Sequence, residues 1–236
     1  MKHIGIACLT TLAILTFSSC VVTENLSIQQ NGSGSSTADI GVQDFFISVL
    51  KDFSDLSSQT DAHTTVMDAS MHNLSSALEK GKTTSNVKFT KTDNNNYVGN
   101  FDFAQLNALI TDLGGDKDQT LLTLDGTTLK FYLDINNYNQ LVKVIPFLSD
   151  PNFETFGPAY NQGMSEKDYL DMISFMLGDE GPDAIRNSTI TINIKAPAPI
   201  TFCSGGTKVD ATTFRFQFPL IDFLLLNKPM QFSLSW

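Results

Sequence analysis

The 236-residue sequence predicts an α+β fold, in which one antiparallel β-sheet packs against several helices. Two observations predict it. The expected elements run as a hairpin, helices, two hairpins separated by a helix, two more helices and a β-meander, so helices come in groups rather than alternating singly with strands. Turn residues also separate neighbouring strands at hairpin spacing. Both features favour an antiparallel sheet, built from the N-terminal hairpin and the C-terminal meander, over a doubly wound parallel sheet.

Residues 1–19 are typical of a bacterial lipoprotein signal peptide, and Cys20 is the predicted site of lipid attachment. A short positive start leads into an apolar run over residues 4–17, which is too short to span a bilayer. Small residues then abut Cys20 in a pattern that resembles a lipobox, with Phe17 at the position where leucine is usual. The resemblance implies cleavage before Cys20 and a diacylglycerol thioether, so palmitate-type chains would hold the protein at a membrane. Two or three such chains anchor stably, whereas one does not.

Composition and charge indicate which binding partners and which cellular compartment to expect. Removal of Lys2 with the signal peptide changes the formal net charge from −10 to −11, and so acidic a chain should be repelled by nucleic acid. Cys203 would be the single thiol left beside the lipidated Cys20, so an intramolecular disulfide is not expected. Eighteen phenylalanines indicate a packed core rather than a disordered spacer. We therefore expect no nucleic-acid partner and a location in the bacterial cell envelope, on the periplasmic or the surface face of a membrane.

The first elements after the anchor are predicted to be a hairpin and two helices. Leu26 and Ile28 alternate with polar residues, and a Gly/Ser-rich turn leads into the returning strand, which gives a hairpin over residues 25–41. Apolar residues recur every three or four positions over residues 42–56, the strongest helical pattern in the chain. A second helix is predicted over residues 65–80 on the same grounds.

The middle of the chain predicts two hairpins with a helix between them, followed by two more helices. Their bounds are 86–91 and 97–103 for the first hairpin, 104–113 for the helix, 120–124 and 128–135 for the second hairpin, and 137–148 and 165–177 for the last two helices. Asp125 and Gly126 form a favoured two-residue turn in the second hairpin. Ser165 is placed to cap the last helix, and Gly178 follows its end. Residues 149–163, rich in proline, glycine and aromatic residues, are predicted to be a loop.

The C-terminal third is predicted to be β-structure that closes the chain. Alternating residues predict strands over residues 188–195 and 212–218, and a last strand over residues 230–236. A proline-containing segment breaks the pattern after the first of them. These strands form the predicted meander. No long linker divides the chain, so residues 26–236 are expected to form one domain.

Both ends of the chain together resemble LppM-like bacterial lipoprotein domains. The resemblance is carried by the opening hairpin NLSIQQNGSGSSTADI just after Cys20 and by the closing segment FRFQFPLIDFLLLNKPMQFSLSW, which follows an alternating strand and a Gly turn. It covers residues 25–43 and 189–236, and the middle only by the order of elements. The resemblance implies an envelope-facing module of a lipid-binding kind without enzymatic activity, and it supplies no catalytic residues.

The most informative segment for function is residues 216–226, FQFPLIDFLLL, in which only Gln217 and Asp222 are polar. Two interpretations fit its contiguous apolar residues. One is a core strand that turns into a short buried helix. The other is an apolar lip that contacts the bilayer or lines a cavity for an acyl chain, with the helix over residues 42–56 as the opposite wall. The candidate contact residues are Phe216, Phe218, Leu220, Ile221, Phe223, Leu224 and Leu225.

The sequence contains no established catalytic or metal-binding motif. His63 and His72 are the histidines that remain after the signal peptide, and a metal site needs three or four ligands with fixed spacing. On a helix, Asp68 and His72 are close enough to form a hydrogen-bonded pair at the surface. The Asp-rich turns at residues 115–118 and 125–126 lack the ligand series of an EF-hand and are interpreted as solvated turns. We therefore expect no enzyme activity, no metal and no cofactor.

Three functional hypotheses follow from the sequence. The first is a non-enzymatic envelope lipoprotein that binds a lipid or an envelope glycolipid. The second is a structural or host-facing lipoprotein whose partner is a protein, with the loop over residues 149–163 as its surface. The third is a hydrolase with two convergent carboxylates. In the predicted tether over residues 20–25, the five residues 21–25 that follow the anchor would reach about 17 Å at most, so the domain is expected close to its membrane.

Overall fold

The structure, a computed structural model, describes residues 21–42, 46, 48, 66–93, 96–145, 148 and 151–236. The predicted signal peptide, Cys20, His63 and most of the helix predicted over residues 42–56 lie outside the described residues. Within the described part, helices pack with two sheets that are mostly antiparallel. The predicted α+β class is therefore confirmed.

The described chain forms eleven strands and seven helices. The strands are β1 (Val21–Ile28), β2 (Gly34–Gly41), β3 (Thr84–Lys91), β4 (Asn96–Phe103), β5 (Leu122–Asp125), β6 (Thr128–Leu133), β7 (Thr189–Lys195), β8 (Phe202–Ser204), β9 (Thr207–Lys208), β10 (Thr213–Pro219) and β11 (Met230–Ser235). The helices are α1 (Val66–Lys80), α2 (Leu106–Asp112), α3 (Tyr138–Val144), α4 (Pro151–Glu154), α5 (Glu166–Leu177), α6 (Gly181–Arg186) and α7 (Leu220–Leu225).

A seven-stranded sheet in the order β3-β4-β2-β1-β7-β10-β9 places β1 at its centre. Neighbouring strands pair antiparallel, except that β1 and β7 run parallel. The predicted N-terminal hairpin is confirmed, because β1 and β2 pair along their whole lengths, from Val21 opposite Gly41 onward. Its register follows from alternation, since Leu26 and Ile28 are buried on one face of the sheet.

The first strand begins earlier than the sequence predicts. β1 starts at Val21, so residues 21–25, which were expected to belong to a free tether, are part of the central strand. Val21 is paired on both sides, with Gly41 of β2 and with Thr189 of β7. The first three residues of β1 are β-branched and favour extended backbone, and the two neighbouring strands provide partners for it.

A second sheet has four strands in the order β5-β6-β11-β8 and is antiparallel throughout. It takes β8 and β11 from the C-terminal third, while β7 and β10 join the first sheet. The strands predicted to form one meander are thus divided between two sheets. The chain between them explains the division, because α7 separates β10 from β11 and the proline-containing segment after β7 leads to β8.

The core between the two sheets is rich in phenylalanine. Phe214 and Phe216 of β10 each lie with their ring centroids 5.3 Å from that of Phe232 of β11. Phe131 of β6 stacks on Phe232 at 5.6 Å. Ring pairs at these distances contribute about 0.5–1.5 kcal/mol each beyond the burial of their surface. These contacts join the two sheets into one unit.

Most helices lie where periodicity predicts them, and their ends have local causes. α5 matches the helix predicted over residues 165–177, and its N-cap forms as expected: the Ser165 hydroxyl accepts a hydrogen bond from the Asp168 amide at 3.1 Å. α3 is shorter than predicted, because Ile145 is extended and precedes a proline, which disfavours helical backbone. The sequence does not predict α6, or α4 within the expected loop over residues 149–163. None of the described helices is long and apolar enough to cross a membrane.

Candidate functional site

The start of the central strand is the place where the predicted lipid anchor joins the fold. Cys20 lies outside the described residues, but the peptide bond that follows it leads directly to Val21, the first residue of β1. Consecutive Cα atoms are about 3.8 Å apart, so a lipid on Cys20 would leave the domain at one defined end of the seven-stranded sheet. Val21 itself is 43% exposed. We name this end, marked by Val21, Gly41 and Thr189, the anchor end.

The apolar segment that the sequence singled out reaches the same end. Pro219, the last residue of β10, is paired with Thr189 of β7, which is paired with Val21. Because neighbouring strands are about 4.8 Å apart, Pro219 lies about 10 Å from Val21. α7 begins with the next residue, and its Leu220 amide donates a hydrogen bond at 2.9 Å to the backbone just before β7. The residue after the predicted anchor and the apolar segment are therefore neighbours in space.

Most of the seven candidate contact residues are part of the core. The buried ones are Phe216, Ile221, Phe223, Leu224 and Leu225. Phe218 and Leu220 are half-buried. This is the arrangement of a core strand that turns into a short buried helix, which is one of the two interpretations of the segment. Contact with lipid stays a prediction, and Phe218 and Leu220 are the members of this set with side-chain surface left for it.

A row of apolar side chains crosses four strands near the anchor end. Its members, which we name the apolar row, are Ile40 of β2, Val22 of β1, Ile190 of β7 and Phe218 of β10, each opposite the next. Residues directly opposite one another on paired strands point to the same face of the sheet. All four are half-buried. Over three strand spacings the row is about 14 Å wide.

Burial on this face of the sheet increases away from the anchor end. The next row on this face lies two residues further from the anchor end on each strand. It consists of Ala38, Glu24, Ile192 and Phe216, of which only Phe216 is buried. Four residues along they are Ser36, Leu26, Ile194 and Phe214, and all of these are buried. The core therefore opens toward the anchor end, and the apolar row is its rim.

A carboxyl group lies one row inside this rim. Glu24 of β1 is half-buried on the same face as Leu26, and its Oε1 accepts a hydrogen bond from the Ser36 hydroxyl. Burial raises the pKa of Glu24 to about 7, and the Ser36 hydrogen bond partly opposes this rise. Glu24 is missing from the sequence-based candidates because it falls in the expected tether. Its place two residues before Leu26 was the signal that puts it on the inward face.

A shallow polar cleft, open to solvent, lies at the opposite end of β1. It has a volume of about 440 Å³ and is lined by Gln29, Gln30, Asn31, Ser33 and Pro197. These residues belong to the β1–β2 turn and to the segment just after β7. The length of β1 separates the cleft from the anchor end by about 23 Å. None of the seven candidate contact residues lines this cleft, and its lining residues include no carboxylate of the kind that a hydrolase would need.

The acidic and histidine side chains considered for catalysis or metal binding lie in ordinary surroundings. Asp68 accepts hydrogen bonds from Lys91 Nζ at 3.0 Å and from the Tyr97 hydroxyl at 2.8 Å, and His72 is exposed on the same helix. Among the described residues, no three His, Cys, Asp or Glu side chains are placed to hold a metal ion. The predicted lack of enzyme activity, metal and cofactor is not tested by these observations and stays a prediction.

Exposed apolar side chains mark α5 and the loop before it. Phe175 is 91% exposed near the end of α5 and Met176 follows it, while Tyr160 is 66% exposed in the loop. The loop is tied to the core, because the buried Tyr169 hydroxyl donates a hydrogen bond to the Phe156 carbonyl oxygen at 2.9 Å. Tyr160 lies in the loop that the protein-partner hypothesis names as its surface, and Phe175 is a second exposed apolar side chain outside that loop.

Comparisons with known proteins show a distant structural likeness. No protein-family model and no curated protein matches the chain. The fold is similar to that in the NMR structure of the Mycobacterium tuberculosis LppM protein folded domain, with 11% sequence identity and a TM-score of 0.36. The similarity covers 91% of this chain and 87% of that one. At this distance it carries no function over to this chain.

Proposed function

We propose that the protein is a non-enzymatic bacterial envelope lipoprotein, held at a membrane by acyl chains on Cys20, whose domain contacts a lipid or an envelope glycolipid. One observation carries the proposal: Cys20 ends an apolar signal-type segment and is bonded directly to the first residue of the central strand. A diacylglycerol thioether supplies two acyl chains, which hold a protein stably at a bilayer. The domain would then stay within a few ångströms of the lipid surface.

Apolar contact with lipid is supported by the side chains at the anchor end. The apolar row leaves part of four side chains exposed beside the attachment point. Each square ångström of apolar surface removed from water contributes about 25 cal/mol, so a few tens of square ångströms per residue give a measurable affinity. Electrostatic attraction to anionic head groups is not available to a mature chain with a net charge of −11. Apolar contact is thus the means by which this domain would hold lipid.

A binding role fits the described residues better than a catalytic one. The cleft at the far end is lined by amide, hydroxyl and proline side chains. The one described histidine, His72, is exposed on α1 rather than paired with a nucleophile in a cleft. The inward-facing carboxyl of Glu24 has a hydroxyl beside it, in Ser36, rather than a second carboxyl. General acid–base hydrolysis by paired carboxylates would need the latter.

The anchoring part of the proposal is tested by metabolic labelling. A palmitate analogue should enter the wild type and Cys203→Ala, and should be absent from Cys20→Ala. Cys203→Ala is the matched control, because it removes the other thiol of the mature chain. Equal incorporation into Cys20→Ala would refute the anchor.

The lipid-contact part has a separate test. Native mass spectrometry of the protein purified from membranes should show a bound lipid in addition to the covalent chains. Adding envelope lipid extract should increase the lipid-bound fraction. A protein that carries no extra lipid under either condition would refute lipid binding and leave the anchor standing.

A second candidate function, contact with a protein partner, is favoured by the exposure of Phe175. A photo-crosslinking residue at Phe175 should then give a defined crosslinked species in intact cells. The same residue at Lys167, an exposed position at the start of α5, is the control and should give none. Equal yields at the two positions would count against a protein partner on this face.

A further inference from the structure

We infer that the domain stands on the bilayer with the anchor end of the seven-stranded sheet toward the lipid, so that the apolar row touches the membrane and the polar cleft faces away from it. The inference rests on the proposed function, because it requires lipid on Cys20. It goes further by naming the surface that meets the bilayer and the surface that stays free for solutes and partners.

The length of the connection is the first argument. β1 is hydrogen-bonded to β2 and β7 from its first residue, so Val21 cannot move away from the sheet without losing partners on both sides. One peptide bond and one cysteine side chain then span the distance to the lipid glycerol, which is about 10 Å. A chain with a long flexible arm could take any orientation, whereas this one holds the anchor end next to the membrane.

The outer face of the sheet argues against a domain that lies flat on that face. Asn25, Asn193 and Arg215 form a polar chain across the neighbouring strands β1, β7 and β10 there, with 3.0 Å between Asn193 Nδ2 and Asn25 Oδ1 and 3.0 Å between Arg215 Nε and Asn193 Oδ1. Pressing these groups against acyl chains would remove them from water at a large cost. On the inner face, Phe214 and Phe216 pack against Phe232 of the second sheet, so this part of the face is not open to lipid either.

The rim of the core at the anchor end provides an apolar surface that can contact the bilayer. The apolar row is half-buried, whereas the row four residues deeper is buried throughout. The opposite end of β1 carries the amide-lined cleft instead. Of the two ends of the sheet, the one that the anchor draws to the bilayer is therefore the one with partly exposed apolar side chains. A bilayer is the occupant that position and chemistry both fit.

Depth-dependent fluorescence quenching tests this orientation. Single cysteines would be placed at Asn187, exposed two residues before β7 at the anchor end, and at Gln30, exposed two residues after β1 at the far end. A third would be placed at Thr37, exposed in the middle of β2 on the outer face. Each is made in the Cys203→Ser background, since the Cys20 thiol is acylated. The processed protein is purified from membranes, labelled and reconstituted into vesicles with nitroxide groups near the lipid head groups.

The three probes separate the orientations. We expect quenching at Asn187 to exceed that at Gln30 several-fold, with Thr37 close to Gln30, because β1 lifts the far end about 23 Å from the anchor end. Equal quenching at Asn187 and Gln30, or stronger quenching at Gln30, would overturn the inference. Quenching at Thr37 as strong as at Asn187 would also overturn it, since a domain lying flat gives that result.

Vesicle flotation in the same preparation keeps the two proposals apart. If the labelled protein carries acyl chains and floats with vesicles, a failed probe pattern refutes the orientation alone. If it carries no acyl chains and Cys20→Ala floats as well as the parent protein, the proposed lipid anchor itself is refuted.

Discussion

Replacing Glu24 with glutamine should remove a pH dependence of stability that this single carboxyl imposes on the fold. Burial raises the pKa of Glu24 from 4.5 to about 7, against the opposing effect of the Ser36 hydrogen bond. A carboxyl with a raised pKa in the folded state binds its proton more tightly there than in the unfolded chain. The contribution of Glu24 to stability should therefore be most favourable below pH 4.5, become less favourable as the pH rises to about 7, and change little above that.

The size of the effect follows from the shift. About 2.5 pKa units at about 1.4 kcal/mol each give at most about 3.5 kcal/mol, and the partial exposure of Glu24 reduces this to about 2 kcal/mol. Glu24→Gln keeps an oxygen that can accept the hydrogen bond from Ser36 and carries no charge. At pH 8 it should be more stable than the wild type by about 2 kcal/mol, and at pH 4.5 the two should be equal within about 0.5 kcal/mol.

Urea unfolding followed by circular dichroism at pH 4.5, 6 and 8 measures this difference. Other carboxylates act with the opposite sign; the Thr212 amide, for example, donates to Asp210 and lowers its pKa. Such contributions are common to both proteins and cancel in the comparison. Asp39→Asn, which removes an exposed carboxyl group from the neighbouring strand, is the matched control. A wild type and a Glu24→Gln variant with parallel stability curves would refute the reasoning.

Three further substitutions test the core, a helix cap and a buried hydroxyl. Phe214→Ala, in the ring cluster between the sheets, should lower the free energy of unfolding by about 3–5 kcal/mol. The control Phe202→Ala, at a side chain that is 55% exposed on β8, should change it by about 0.5 kcal/mol or less. Similar losses in the two variants would contradict the assigned core. Ser165→Ala should cost about 1 kcal/mol through the lost N-cap of α5, and Ser165→Asp should restore most of it; a neutral Ser165→Ala would argue against the cap. Tyr138→Phe should be neutral or stabilising by about 1 kcal/mol, because the buried hydroxyl has no hydrogen-bond partner in the described part of the chain; a clear loss in thermal or urea unfolding would reveal one.

The features that the sequence predicts well are those set by neighbouring residues. The predicted turn between β5 and β6 forms, but one residue later than expected: Asp125 pairs with Thr128, so the two turn residues are Gly126, with φ at 57°, and Thr127. The Ser165 cap depends only on residues within one helical turn. In contrast, Asn25 and Asn193 face each other across β1 and β7 although they are 168 positions apart in the chain. A local sequence pattern does not predict which strands pair at such a separation. The division of the C-terminal strands between two sheets depends on long-range pairing of this kind.

The candidate site was predictable in composition but not in position. Apolarity singled out the segment from Phe216 onward, yet most of its residues are buried. The residues at the rim beside the anchor, such as Ile40 and Ile190, look unremarkable in sequence, because only strand order and register place them next to Val22. Glu24 was missed because it falls in the segment that was expected to be a tether. Its half-buried position depends on the neighbouring strands β2 and β7, which come from other parts of the chain.

The contiguous apolar residues over 216–226 have a structural cause that is separate from lipid contact. β10 still alternates, with Gln217 exposed, and the contiguity arises in α7, which is covered so fully that Asp222 is its one exposed residue. The helix ends at Leu226 with a left-handed φ of 44°, which costs a residue with a β-carbon about 1–2 kcal/mol, and burial of the leucine side chain offsets that cost. Core packing therefore accounts for the apolar run. Truncating Leu224 should weaken the fold first, whereas a polar residue at Ile40 should weaken lipid contact first, so comparing vesicle binding with stability in these two variants separates the core from the membrane surface.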